Sequence, residues 1–212
     1  MQYTKQEIAE MDRVQRIKFI NAVSGVKAAN LIGTISDTEV TNVAIFNSVM
    51  HLGSDPALMG FILRPTGEVP RHTYENMLAN GSFTINHVNT GIIKNAHYTS
   101  AKFSDNESEF DLCGLTEEFV TGVKAPFVKE SHLKIGLEYV ESIPIERNGT
   151  ILVIGEIIHL VIPENAIGEE EDIDLAAIET TGISGLNTYY ELKKLDRFPY
   201  VRRHEVPDFK VL

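Results

Sequence analysis

A single cysteine, Cys113, stands among the 212 residues, so no intramolecular disulfide can form. That fits a reducing compartment, and Cys113 itself reads as a small buried hydrophobe. Long hydrophobic runs are missing too. The most apolar stretch, ILVIGEIIHLVI at 151–162, has twelve residues and carries Glu156 and His159, too short for a membrane span. The opening residues, MQYTKQEIAEMDRVQ, hold no apolar run of the signal-peptide kind. A soluble, cytoplasmic protein is therefore expected, and the triplets Asn106-Glu107-Ser108 and Asn148-Gly149-Thr150 read as chance matches to a glycosylation site.

Positive charge is scarce. Lys and Arg number 19 against 30 Asp and Glu, a formal charge of −11 with a pI near 5.1. A nucleic-acid binder would present a basic face, so that class is disfavoured. A small basic pocket remains compatible with this balance, and a phosphorylated small molecule needs no more. Standard chemical signatures are absent as well. No G-x-G-x-x-G follows a strand and no G-x-x-x-x-G-K-[ST] occurs, which argues against a Rossmann unit and a P-loop. There is no HExxH, CxxC or G-x-S-x-G, and the seven histidines fall at no metal-ligand spacing. No metal site is expected, and the charge run GEEEDID at 168–174 reads as a solvated connector.

What is present is a succession of short β-rich runs. Hydrophobic residues make up 43% of the chain, enough for one substantial core and a single domain over 1–212. Strands are expected at 17–23, 27–35, 39–46, 57–64, 82–88, 132–145 and 150–162, with turns at Gly25, Asp37 and Gly53-Ser54-Asp55-Pro56. Asn148-Gly149 between the last two runs is the strongest hairpin signal. Helices are expected at 4–12, where Thr4 and Glu7 form a capping box, at 73–80 between Thr73 as N-cap and Gly81 as C′, and at 91–98 and 174–180. Residues 104–111 read as irregular and acidic. The aromatics of 182–212 predict a tail packed on the body or on a partner chain. The pattern is mainly β with peripheral helices, an antiparallel sheet or barrel.

One loop stands out, RPTGEVPRHTYENM at 64–77. Arg64 and Arg71 bracket it, and a helix is expected directly after. A helix start offers free N–H groups and the positive end of a dipole. With Arg71, Arg64, and the hydroxyls of Ser48 and Thr73, it reads either as an anion seat or as an ordinary solvated turn.

The stretch from Gly33 to Val88 resembles the flavin reductase-like, FMN-binding split-barrel family, which includes the flavoredoxins. Asn42-Val43-Ala44-Ile45-Phe46-Asn47-Ser48 stands for the family's Asn-x-Ala segment, Asp55-Pro56 for its turn, and Arg71-His72-Thr73-Tyr74-Glu75-Asn76 for its helix start. SAKFSDNESEFDLCGLTEE at 100–118 and ILVIGEIIHLVI at 151–162 are similar to later pieces, so the resemblance covers roughly 17–192. Two departures stand in it: His72 replaces the commoner Asp, and Val26-Lys27-Ala28 replaces an Arg-Pro. The resemblance implies an antiparallel split β-barrel, a homodimer, and FMN held near the interface. Asn47, Ser48 and Val49 would line the ring or ribityl chain, Arg64, Arg71, His72 and Thr73 would hold the phosphate, and Asn76 would support that loop or the ribityl chain. Phe46 and Met50 stand near the same place, where core packing is the plainer reading. Lys102 is either a cation near the flavin or a surface lysine. The implied reaction is hydride transfer from NAD(P)H to the flavin and on to an acceptor, with no essential acid–base side chain. The alternatives are a non-catalytic FMN-binding electron carrier on the same scaffold and a barrel that binds no flavin.

Overall fold

The computed structural model describes residues 1–67 and 70–209. Two residues of the loop singled out above, Glu68 and Val69, and the end of the expected tail, 210–212, lie outside them. Among the described residues no helix is long and apolar enough to cross a membrane.

The chain opens with two helices, α1 (Lys5–Glu10) and α2 (Arg13–Ala22). The expected capping box closes on α1: Glu7 N–H donates to Thr4 Oγ1, and Thr4 N–H donates to the Glu7 carboxylate. The strand expected at 17–23 is instead the body of α2. Asp12 accepts from Val14 and Gln15 N–H at 2.9 and 3.2 Å, which supplies a helix start the apolar run alone does not reveal. That run buries nothing, since α2 has no buried residue.

The barrel comes next, as β2 (Asn30–Ile35), β3 (Thr41–Phe46), β4 (Met50–Ser54), β5 (Ala57–Leu63), β6 (Ser82–His87), β9 (Lys134–Ile145) and β10 (Thr150–Val161), with α3 (His72–Asn80) between β5 and β6. Their order in the sheet is β3-β2-β6-β9-β10-β5-β4, and every pairing is antiparallel. The run expected as one strand at 27–35 divides at Ala29. Before it, β1 (Lys27–Ala28) pairs with β11 (Thr181–Ser184), which pairs in turn with β12 (Thr188–Glu191) in a small second sheet. Two short strands, β7 (Glu117–Glu118) and β8 (Phe127–Val128), pair with each other. Helix α4 (Ile93–Tyr98) lies within the expected 91–98 segment, and the acidic stretch read as irregular ends in a further helix, α5 (Glu109–Cys113).

The hairpin expected at Asn148-Gly149 forms. Gly149 takes φ +71, the left-handed conformation that suits glycine, and Asn148 Oδ1 accepts from Thr150 N–H at 3.1 Å. The helix expected at 174–180 does not form. Asp174 starts a turn by accepting from Ala176 and Ala177 N–H, but Glu179 at φ 54 ends it before a second turn. In the described part of the tail beyond β12 the expected packing of Phe198 and Tyr200 on the body is not found: they are 77% and 91% exposed. Its root is held by charge. Lys194 pairs with Asp172 and Asp174, and Arg197 with Glu170 and Asp172, so the acidic run 168–174 is an anchor rather than a free connector.

The main core lies between the sheet and α3. Phe61 and Phe83 meet edge-to-face at 5.9 Å, and Ile32, Met77, Ile85 and Leu137 fill the space around them. Gly155 admits this packing, because a Cβ there would stand 2.5 Å from Phe83 Cζ. Replacing Gly155 by Ala should therefore cost about 1–3 kcal/mol of unfolding free energy, the usual effect of overpacking. Urea denaturation tests this, and an unchanged midpoint would show that the ring moves aside freely.

His87, at the end of β6, gives the barrel an acid-sensitive joint. Burial pushes its pKa down to about 4 from the ordinary 6.5. The folded state thus favours the neutral ring, and this contribution is intact above pH 6.5. It is lost as the pH falls through about 4 and amounts to about 3 kcal/mol at most. His87→Gln should lose less stability than the unchanged protein between neutral pH and about pH 4. Equal losses in urea unfolding at the two pH values would contradict it.

Candidate functional site

Among the described residues, strand β3 is an edge of the main sheet, paired only with β2. Its outer N–H groups and side chains need partners, and two helices supply them. Val43 N–H donates to Glu109 Oε2 on α5 at 3.2 Å. Asn42 Nδ2 donates to Thr73 Oγ1 on α3 at 3.3 Å. Thr41 Oγ1 bonds Ser108 at 2.7 Å and also the Glu117 carboxylate. Between these helices and the end of β3 lies a cleft of about 830 Å³, within the range of small-molecule cofactor pockets.

One end of the cleft gathers cationic side chains at the start of α3. Tyr74 and Glu75 N–H both donate to Arg71 O, at 2.7 and 2.9 Å. That leaves the N–H groups of His72 and Thr73 without an acceptor among the described residues, as at most helix starts. Arg71, not Thr73, occupies the N-cap, and it caps nothing with its side chain. Thr73 sits in the first turn, buried, because Asn42 holds its hydroxyl. Arg71 Nε and Nη2 donate to Pro65 O at 3.3 and 3.2 Å and draw the loop shut. His72 Nε2 lies 2.9 Å from Asp105 Oδ1 but off the line of a hydrogen bond, so this buried nitrogen is unsatisfied. Arg64 and Lys102 also line the cleft, and neither has an ion-pair partner among the described residues.

The rest of the wall is mostly apolar. Ala44, Phe46, Ile62 and Leu63 come from β3 and β5, and Ile183 and Leu186 from β11 and the turn after it. Phe46 also packs edge-on against Phe61 at 5.0 Å, so its core and cleft readings both hold. Asn47 Nδ2 donates to Gly185 O, tying the end of β3 to the β11–β12 turn. Ser48 Oγ donates to Ile62 O and accepts from Ile62 N–H, both at 3.1 Å. Its proton is thus engaged with β5 and not available as a donor to a ligand.

Of the ten residues that the sequence brought forward, Phe46, Asn47, Ser48, Arg64, Arg71, His72 and Thr73 line this cleft. Three stand apart. Val49 packs on the main core, and Met50 is 38% exposed at the start of β4. Asn76 donates to Thr34 Oγ1 at 3.2 Å, pinning α3 to β2 beneath the site. Lys102 proves to be a wall residue. The cysteine is not part of the wall, and burial followed by the nearby Glu109 raises its thiol pKa.

Sequence reasoning missed two features. Glu109 lines the cleft with only 5% exposure. Burial raises its pKa, an effect opposed by its own and Val43's backbone N–H groups and by His72, and reinforced by Glu107. His97, also in the wall, pairs through Nδ1 with Tyr189 OH at 3.0 Å. The Glu-Phe pair at 109–110 was a usable signal for the first. Nothing local marked the second, because 92 residues separate its partners.

Known proteins share this fold. A proposed flavin reductase with a split barrel domain from Shewanella frigidimarina NCIMB 400 is 48% identical, with 95% of this chain and 100% of that one covered and a TM-score of 0.90. An FMN-binding protein from Thermus thermophilus is 16% identical over 82% of this chain and 91% of its own, TM-score 0.68. The NADH:FAD oxidoreductase SgcE6 of Streptomyces globisporus C-1027 is 14% identical over 87% and 96%, TM-score 0.67. The last two speak for the fold alone. The flavin reductase like domain matches residues 26–179, and with the antiparallel split barrel and its cleft in place, the chain belongs to that flavin-binding family.

Proposed function

We propose that the cleft seats FMN with its phosphate at the start of α3, and that the protein transfers a hydride from NAD(P)H to the flavin and on to an acceptor. The observation that carries this reading is the convergence at one end of the cleft: two unpaired helix N–H groups, the orphaned His72 Nε2, and Arg64, Arg71 and Lys102. The residues fit the group. A planar apolar ring suits the wall of Phe46, Ile62 and Leu63, and a phosphate suits the cationic end. One such end matches the single phosphate of FMN better than the diphosphate of FAD. The Thermus protein of this fold is named for FMN, and the Streptomyces one for NADH and FAD.

When bound, the flavin supplies the hydride and electron chemistry. The chain's own residues orient it. Arg71, His72 and Thr73 fix the phosphate, Arg64 faces it from the end of β5, and Asn47 and Ser48 set the height of the wall along the ring or ribityl chain. Asn76 holds α3 in place from below, while Val49 and Met50 stand behind the wall. The working unit in this reading is one 212-residue domain acting in the cytoplasm as a homodimer. Exposed Val140, Ile143, Ile158 and Leu160 on the β9–β10 hairpin give a second copy an apolar face to cover.

Two measurements test the reading. NADH or NADPH oxidation with added FMN should exceed the uncatalysed rate, and a rate no higher would remove the enzyme and leave a flavin carrier. Arg71→Ala with Thr73→Ala should weaken FMN binding by about tenfold or more, the worth of one lost charge-assisted hydrogen bond, and leave riboflavin binding unchanged. Flavin fluorescence quenching reads both. Unchanged FMN affinity in a folded double variant would place the phosphate elsewhere.

A further inference from the structure

The anion seat has a neighbour that such a seat would ordinarily exclude. Glu109 lines the same cleft as Arg71, His72 and Thr73, and its carboxyl is nearly inaccessible to bulk water. Strand β3 fixes the distance. Val43 N–H holds Glu109 Oε2, and the adjacent Asn42 holds Thr73 in the first turn of α3. A single strand position therefore separates the carboxyl from the helix start. Capping β3 occupies Oε2; Glu109's own N–H also bears on the carboxyl, and no other described residue donates to Oε1.

The charged and titratable groups around it are mixed. The start of α3 presents Arg71 and His72, the end of β5 Arg64, helix α4 His97, the segment between α4 and α5 Lys102, Asp105 and Glu107, and α5 itself carries Asp111 and Cys113. Strand β3 contributes none. Burial outweighs the opposing influence of His72 and the backbone N–H groups, so the neutral acid is favoured beyond the ordinary carboxylate range. A neutral carboxyl donates a hydrogen bond, whereas an ionised one can only accept.

We infer that Glu109 sets the charge selectivity of the seat: protonated, it donates to the bound phosphate, and ionised, it repels it. Anion binding is then coupled to uptake of one proton from solvent by this carboxyl. The inference rests on the phosphate reading above. Glu109 acts on the ligand's phosphate and not on the reacting ring, so it is a specificity residue.

The test compares the full-length protein with Glu109→Gln. Glutamine keeps an oxygen for Val43 N–H and stays neutral at every pH. FMN and riboflavin are titrated into both proteins from about pH 5.5 to about pH 8.5, spanning the range above the ordinary Glu value. Ionisation of the FMN phosphate itself affects both proteins alike and cancels in the ratio of their affinities. The two should bind FMN equally at the acid end, and the variant should bind it about tenfold tighter at the alkaline end. Riboflavin, which has no phosphate, should show no divergence. Parallel FMN curves overturn the inference and leave Glu109 as a cap on β3. A wild-type protein that binds FMN no tighter than riboflavin at any pH overturns the phosphate reading itself. Calorimetry of FMN binding to the unchanged protein in buffers of different ionisation enthalpy gives an answer independent of the variant's folding. At about pH 8.5, where the phosphate of free FMN is already fully ionised, net proton uptake is expected, and proton release or none contradicts it.

Discussion

Among the described residues strand β3 has a strand partner on one side only, and the site follows from how its other side is satisfied. An edge strand leaves N–H and C=O groups that must be bonded, covered or solvated. Here α5 covers one position with a carboxylate on Val43 N–H, and α3 meets the next through Asn42 and Thr73. The two helices cannot close over the strand's end, because the chain must leave β3 and cross to β4 through 47–49. Ser48 stitches that crossing to β5 by bonding both backbone groups of Ile62. The gap left at the crossing is the cleft. The open sheet order, with β3 and β4 as its two edges, and the position of the site are thus one structural fact.

The electrostatics follow the same geometry. A chain of net charge −11 places Arg64, Arg71, His72 and Lys102 along one cleft because the helix start and the two flanking loops converge there. Asp105 and Glu109 enter with α5 and the loop before it, for the edge of β3 needs an acceptor. The cations and the buried acid are therefore not separable features. In the proposed reading, the seat's affinity for an anion depends on which of them is charged, which ties ligand binding to proton binding at this wall.

Local chemistry was legible in the sequence where it decided the structure locally. Asn148-Gly149 fixed the long hairpin, Gly81 closed α3, and Thr4 with Glu7 capped α1. The loop from Arg64 to Arg71 stood out because prolines, a glycine and two arginines precede an expected helix. What escaped was set by distant partners. Thr73 has the composition of a cap but serves Asn42 on another strand. The run 17–23 has strand composition but no strand beside it, and Asp12 starts a helix there instead. Strands β11 and β12 were hidden in a stretch read as tail, since their pairing with β1 joins residues more than 150 positions apart. The family resemblance recovered the order of the pieces that composition alone left open.

The most direct test of the account is the structure of the protein with FMN bound. The phosphate is predicted to lie within hydrogen-bonding distance of the His72 and Thr73 N–H groups, with Arg71 beside it and the ring against Phe46. A phosphate found at the β11–β12 turn or in solvent, with no contact to the start of α3, would contradict it.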